Sequence, residues 1–234
     1  MQSTELIVAM DIPRADGLKG VLASFPKSLS WLKIGLELFC AEGPSVVDIA
    51  RASGRRVFLD LKLHDIPRTV ERAVRAAALQ HVGLLTVHAG GGRAMLEAAM
   101  RAAREIGPSA PKIIAVTVLT SLNDQDLRDV GVLRAARDHV LSLAELALAA
   151  GVDGLVCSPH EVAALRLRFG QEPLLVVPGI RSTTDHTGDQ KRTATAAEAT
   201  RAGASYLVVG RPILEAADPA AATARIQEEI RSAS

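Results

Sequence analysis

Residues 56–62 read RVFLDLK, and the fold follows from how this stretch is built: an unbroken apolar run, Val57 to Leu59, that ends in an aspartate and a lysine. A strand covered on both faces needs apolar side chains on both, so it shows as a continuous Val/Ile/Leu-rich run and not as an alternation. Working outward, runs of the same kind recur at ELIVAM from residue 5, WLKIGL from 31, LLTVHA from 84, KIIAVTVL from 112, GLVCS from 154, LLVVPGI from 174 and YLVVG from 206, which makes eight with the first. Each is followed by a segment with helical signals. Eight strands alternating with helices predict an α/β protein with a single (β/α)8 TIM barrel, one domain over residues 1–234, a length within the range of that fold. An open doubly wound sheet is the competing architecture, but no GxGxxG follows the first run and the count of eight favours closure.

The helical signals have physical content. Pro44 and Pro67 can open helices, while Gly54, Gly107, Gly151 and Gly170 stand where helices should stop. Ser158 with Glu161, and Thr195 with Glu198, have the spacing of capping boxes. From Val132 to Ala150 the apolar residues Val132, Leu133, Val140, Leu141, Leu143, Leu146 and Leu148 suggest one long amphipathic helix. One segment breaks the pattern. Arg181 to Thr193 (RSTTDHTGDQKRT) has no apolar residue and exceeds an ordinary connection, so it is expected to be a lid that brings polar groups onto a ligand at the barrel mouth.

Composition narrows the partners. Lys plus Arg total 27 and Asp plus Glu 26, so no global field recruits nucleic acid or an anionic membrane, and any anion site has to be local. Aromatic residues make up 3%, too few to supply a stacking platform for single strands. Neither a signal peptide nor a membrane-spanning run is present, so the expected location is cytoplasmic. Cys40 and Cys157 lie far apart with no Cys/His cluster around them, and both are expected to be reduced structural thiols.

Active sites in such barrels lie at the C-terminal ends of the strands. The polar residues that end or follow the apolar runs are therefore the candidates: Asp11, Lys33, Asp60, Lys62, Asp65, His88, Thr120, Arg181, Gly210 and Arg211. Residues two apart on a strand share a face, so Asp60 and Lys62 point the same way, with Leu59 and Leu61 on the opposite face; if the charges point inward, the leucines meet the helices. Burying such charges costs several kcal/mol each unless they are paired, so function is the better reason for them. Alternating Lys and Asp charges favour the ammonium and carboxylate forms, which suits Lys62 as a proton donor and not as a nucleophile. The ends of the seventh and eighth strands often bind phosphate, and Gly210 and Arg211, with Arg181 and Gln190 in the polar loop, fit that use. His88 reads as a structural, hydrogen-bonded histidine, and His64 is left without a role.

Taken together, these motifs resemble the orotidine 5′-phosphate decarboxylase family along nearly the whole chain. FLDLKLHDIPRTV (58–70) is similar to that family's DxKxxDI signature; PGIR (178–181), DQKR (189–192) and YLVVGRPI (206–213) are similar to its phosphate-side motifs. Val177, Ala196 and Arg68 depart from residues common there, Thr, Pro and Asn, without removing a charged group of the cluster. The resemblance implies a carboxy-lyase that converts orotidine 5′-monophosphate to UMP and carbon dioxide with no cofactor and no metal. It implies Lys62 as the proton donor, Lys33 and Asp60 as the rest of the charged network, and Asp65 and Thr69 entering from the neighbouring subunit of a homodimer with shared sites. Asp11 and Lys33 would hold the ribose hydroxyls, Thr120 would face the pyrimidine, and Arg181, Gln190, Gly210 and Arg211 would gather the phosphate.

Two rivals remain open on the residues. One is a relative with the same barrel, a magnesium-dependent decarboxylase of 3-keto sugar phosphates or a hexulose-phosphate synthase, in which a carboxylate generally stands where this chain has Lys33; a cation there would repel Mg2+. The other is a non-enzymatic nucleotide-binding barrel.

Overall fold

The computed structural model describes residues 3–181 and 192–234. Eight strands, β1 (Glu5–Ala9), β2 (Trp31–Gly35), β3 (Arg56–Leu63), β4 (Leu84–His88), β5 (Lys112–Val116), β6 (Gly154–Val156), β7 (Leu174–Val177) and β8 (Tyr206–Val209), form a closed parallel barrel in chain order, β8 pairing back onto β1. The expected closure is what the chain adopts, and each strand begins at the first residue of its apolar run.

Two apolar layers account for the unbroken runs. Ile7, Ala9, Trp31, Phe58, Leu84, Ile114, Val176 and Val208 fill the barrel interior. The alternate residues, among them Val8, Leu32, Leu59, Leu85, Ile113, Leu155, Leu175 and Leu207, join the larger layer between the sheet and the helices around it. Every central strand residue is thus removed from water on one side or the other, which is why no polar period shows. Leu59 is fully buried in the outer layer and Leu61 packs partly against it, as the shared-face argument requires.

At the N-terminal end of the barrel the first residues of four strands make a plug. Trp31 meets Tyr206 edge to face at 5.5 Å, the Arg56 guanidinium lies over the Trp31 ring at 4.2 Å, and Arg56 pairs with Glu5 at 2.6 Å. Gly83 makes room for this plug, since a methyl in place of its hydrogen would lie 2.6 Å from a Trp31 ring carbon.

Helix ends follow the expected signals, with Pro67 opening the helix Pro67–Ala78 and Gly107 and Gly170 capping the helices Gly92–Ile106 and Val162–Phe169. The Thr195/Glu198 box is complete. At Ser158 the Glu161 carboxylate accepts the backbone N–H at 2.7 Å, while the buried Ser158 hydroxyl finds no partner of normal hydrogen-bond geometry. The long helix over 132–150 needs correction. A short helix, Asp124–Asp129, ends at Gly131 with φ 84°, and the next begins at Ala136, whose N–H is accepted by Asp124. Leu133 is left 88% exposed between them. Val132 and Leu133 carry the apolar spacing but lie in the connection before the helix, which cannot start until after Ala135, whose backbone is extended (ψ 148°). Cys157 is buried, whereas Cys40 lies on the surface and so is not a structural thiol. No helix among the described residues is long and apolar enough to cross a membrane.

Candidate active site

The C-terminal end of the barrel opens into a cavity of about 230 Å³, lined among others by Asp11, Lys33, Asp60, Lys62, Thr120, Arg181, Gly210 and Arg211. Its floor is the top of the inner apolar layer, with Phe58, Val156, Val176 and Val208.

Four charges from three strands and their ends form a line across one side. The Lys33 ammonium donates to Asp11 at 2.9 Å and stands 3.7 Å from Asp60; the Lys62 ammonium donates to the same Asp60 oxygen at 2.9 Å. Lys33 and Asp60 are 9% and 8% exposed, whereas the Lys62 side chain is 33% exposed and borders the open volume. Each charge has an opposite neighbour, which offsets part of the cost of burying Lys33 and Asp60. Gly35, at the end of β2, leaves them space: a methyl there would lie 2.7 Å from the Lys33 ammonium and 3.3 Å from Asp11.

The strand that supplies Asp60 and Lys62 is not regular. Leu59 pairs with Leu85 and Leu63 with Val87, so three residues of β3, Asp60 to Lys62, face the single β4 residue Thr86. Lys62 takes a left-handed backbone, φ 49°. For a residue with a side chain this is a strained conformation, of order 1–3 kcal/mol, and it persists only where the surroundings hold it. Asp60 and Lys62 do point to the same side, but a bulge brings this about and not the two-residue repeat alone.

Around this line the other expected residues fall into two groups. Thr120, Arg181, Gly210 and Arg211 line the cavity; Gln190 and the body of the polar loop lie outside the described residues. Asp65 and Thr69 are exposed and do not line it within one chain, and the Asp65 carboxylate accepts the neighbouring Ile66 N–H at 2.7 Å. His88 is hydrogen-bonded, its Nδ1 accepting from Gly90 N–H at 3.1 Å, and its ring stacks on His64 with centroids 5.0 Å apart. Burial first, then the charges of His64 and Lys62, holds the His88 imidazole below the ordinary histidine range, in keeping with a neutral acceptor. Arg192, where the described chain resumes, pairs with the buried Glu161 and donates to the Leu119 carbonyl at 3.2 Å, tying the start of the helix after β6 to the connection after β5. Sequence reasoning passed over Thr86 and Gly35, because a threonine in a strand and a glycine at its end are each ordinary there, and it gave Arg192 no role of its own within DQKR (189–192).

A closed parallel barrel carrying a line of alternating charges, buried at its centre, at the C-terminal ends of its strands, with arginines at the rim beside β7 and β8, defines a (β/α)8-barrel enzyme. The orotidine 5′-phosphate decarboxylase / HUMPS family matches residues 4–226, and the chain belongs to that family. It is 51% identical over 224 residues, 96% of this chain and 97% of the other, to an orotidine 5′-phosphate decarboxylase of Anaeromyxobacter sp. (strain K). Its identity to one from Nostoc sp. (strain PCC 7120) is 44%, covering 98% of each chain. The crystal structure of orotidine 5′-phosphate decarboxylase from Lactobacillus acidophilus superposes with a TM-score of 0.86 at 38% identity, covering 97% of this chain and 99% of that one.

Proposed function

We propose that this protein decarboxylates orotidine 5′-monophosphate to UMP and carbon dioxide, the last step in making UMP, with Lys62 as the proton donor. The observation that carries the reading is the line Asp11, Lys33, Asp60, Lys62, whose Lys62 ammonium borders the cavity 2.9 Å from Asp60, in a chain about half identical to named decarboxylases over nearly its full length. In the reaction the bond from carbon 6 to the carboxylate breaks, its electron pair stays on carbon 6, carbon dioxide leaves, and Lys62 delivers a proton to that carbon. No adjacent carbonyl delocalises the developing charge, so an ammonium held close supplies the stabilisation directly. The route uses only side-chain charges and calls for no cofactor.

In this reading Asp11 and Lys33 take the ribose hydroxyls, Thr120 faces the pyrimidine, and Arg181, Gln190, Gly210 and Arg211 gather the phosphate. Binding energy gathered at the phosphate, remote from the reacting carbon, then aligns the ring over Lys62. Asp65 and Thr69, exposed and away from the cavity in one chain, complete the site of a second subunit, which makes the working unit a homodimer. A single barrel domain and a cytoplasmic location belong to the same reading.

The test is the ultraviolet absorbance change of orotidine 5′-monophosphate with purified protein, with and without EDTA. Turnover that ignores EDTA is expected. Turnover of a 3-keto sugar phosphate that EDTA abolishes would point to the magnesium-dependent relatives, and tight UMP binding with no turnover to a silent binder. For the shared site, mixing inactive Lys62→Ala and Asp65→Ala proteins should regain activity, because some dimers then hold one intact site; a mixture that stays inactive counts against the dimer reading.

A further inference from the structure

We infer that Thr86, in the middle of β4, is the positioning residue that holds Lys62 and Asp60 in working register; the catalytic consequence rests on the proposed decarboxylase reading. Thr86 is fully buried and faces the barrel interior, opposite the three bulged residues of β3. Its hydroxyl accepts the Lys62 backbone N–H at 2.8 Å and donates to Asp60 Oδ1 at 3.0 Å. A hydroxyl has one proton, so accepting from Lys62 leaves that proton for the carboxylate. The other Asp60 oxygen takes the Lys62 ammonium at 2.9 Å. The result is a closed ring: the Lys62 backbone on Thr86, Thr86 on Asp60, and Asp60 on the Lys62 side chain.

The ring answers two problems that the bulge creates. With three β3 residues against one of β4, the Lys62 N–H leaves the regular ladder and needs another acceptor. The left-handed backbone of Lys62 also needs a constraint to keep it from relaxing. One buried hydroxyl serves both, and it holds the carboxylate that aims the ammonium. Thr86 touches neither the cavity nor the reacting atoms, so it acts through Lys62 and Asp60.

Two substitutions separate this role from plain packing. Thr86→Val keeps the shape and loses the hydroxyl; Thr86→Ser keeps the hydroxyl and loses a methyl. Positioning predicts that Thr86→Val lowers kcat for orotidine 5′-monophosphate roughly 10- to 100-fold with KM within about threefold of wild type, and that Thr86→Ser keeps kcat within about threefold. Packing predicts the reverse order, with Ser the worse of the two in thermal unfolding and both close to wild type in kcat. A Thr86→Val protein with wild-type kcat, or a Thr86→Ser protein that falls as far as Thr86→Val, overturns the inference. Should Thr86→Val fail to fold, Thr86→Ser against Thr86→Ala carries the same contrast, since both lack the methyl. Wild-type protein that leaves the substrate unchanged overturns the functional reading instead, and Thr86 is then decided by the crystal structure of Thr86→Val. Lys62 leaving the left-handed region and its ammonium withdrawing from Asp60 upholds the positioning role; unchanged geometry overturns it.

Discussion

The two ends of the barrel use charge for opposite purposes. At the N-terminal end Arg56 pairs with Glu5 and covers Trp31, whose ring meets Tyr206; apolar surface closes the barrel and the ion pair sits over it, partly exposed. At the C-terminal end Lys33 and Asp60 are buried, the charges alternate from Asp11 to Lys62, and the last ammonium borders a cavity. Each end sets aside a glycine for its contents, Gly83 for the Trp31 ring and Gly35 for the Lys33 ammonium. A partly exposed ion pair adds little to stability, and buried charges such as Lys33 and Asp60 do no better than apolar packing would. The first end is therefore arranged for closure and, on the proposed function, the second for chemistry.

That contrast can be broken experimentally, and the largest effect is expected at Lys62. Lys62→Ala should cut kcat/KM for orotidine 5′-monophosphate by about 10³-fold or more, about 4 kcal/mol of transition-state stabilisation, while the fold survives by circular dichroism. Activity within tenfold of wild type would remove Lys62 from the chemistry. At the opposite end, Gly83→Ala forces a methyl against a rigid ring and should cost about 1–3 kcal/mol in chemical denaturation, with kcat of the folded protein unchanged. A fall in kcat there would mean that the two ends are coupled.

Gly35→Ala sharpens the comparison, because its methyl meets the flexible end of a lysine and not a ring. Stability should hold, and kcat/KM should drop roughly tenfold as the Lys33 ammonium is pushed off Asp11 and Asp60. The smallest effect concerns His88, beside the charged end. Burial holds its folded pKa below the ordinary 6.5, so as pH falls the unfolded chain takes up this proton first. The stability it contributes is present above about pH 6.5 and is lost as the pH drops through the folded value. His88→Asn, which keeps an acceptor for the Gly90 N–H, should flatten the dependence of Tm on pH below that point; an unchanged slope would dissociate His88 from the acid loss of stability.

Much of this molecule can be read along the chain. All eight strands start where their apolar runs start, because a strand buried on both faces must declare itself in consecutive residues. Asp11, Lys33, Asp60 and Lys62 stand out for the complementary reason, as charges set against apolar runs that ought to exclude them. Where the pattern misled, the cause was local backbone: the extended backbone of Ala135 delays the helix to Ala136 and leaves Val132 and Leu133, which carry the apolar spacing, in the connection before it. Thr86 gave no signal, since threonine is at home in any strand.

The sequence by itself determined the number of strands, their parallel closure and the end of the barrel where the charges gather, because burial is written residue by residue in the choice of apolar or charged side chains. Only the tertiary structure decided which charges pair, that β3 bulges opposite Thr86, that Lys62 takes a left-handed backbone, and that Asp65 and Thr69 stay outside the cavity of their own chain. Those outcomes depend on partners such as Asp60 and Thr86, which are 26 residues apart in the chain and 3.0 Å apart in space. A hydrogen bond across strands depends on register and direction, and neither leaves a period in the residues that make it.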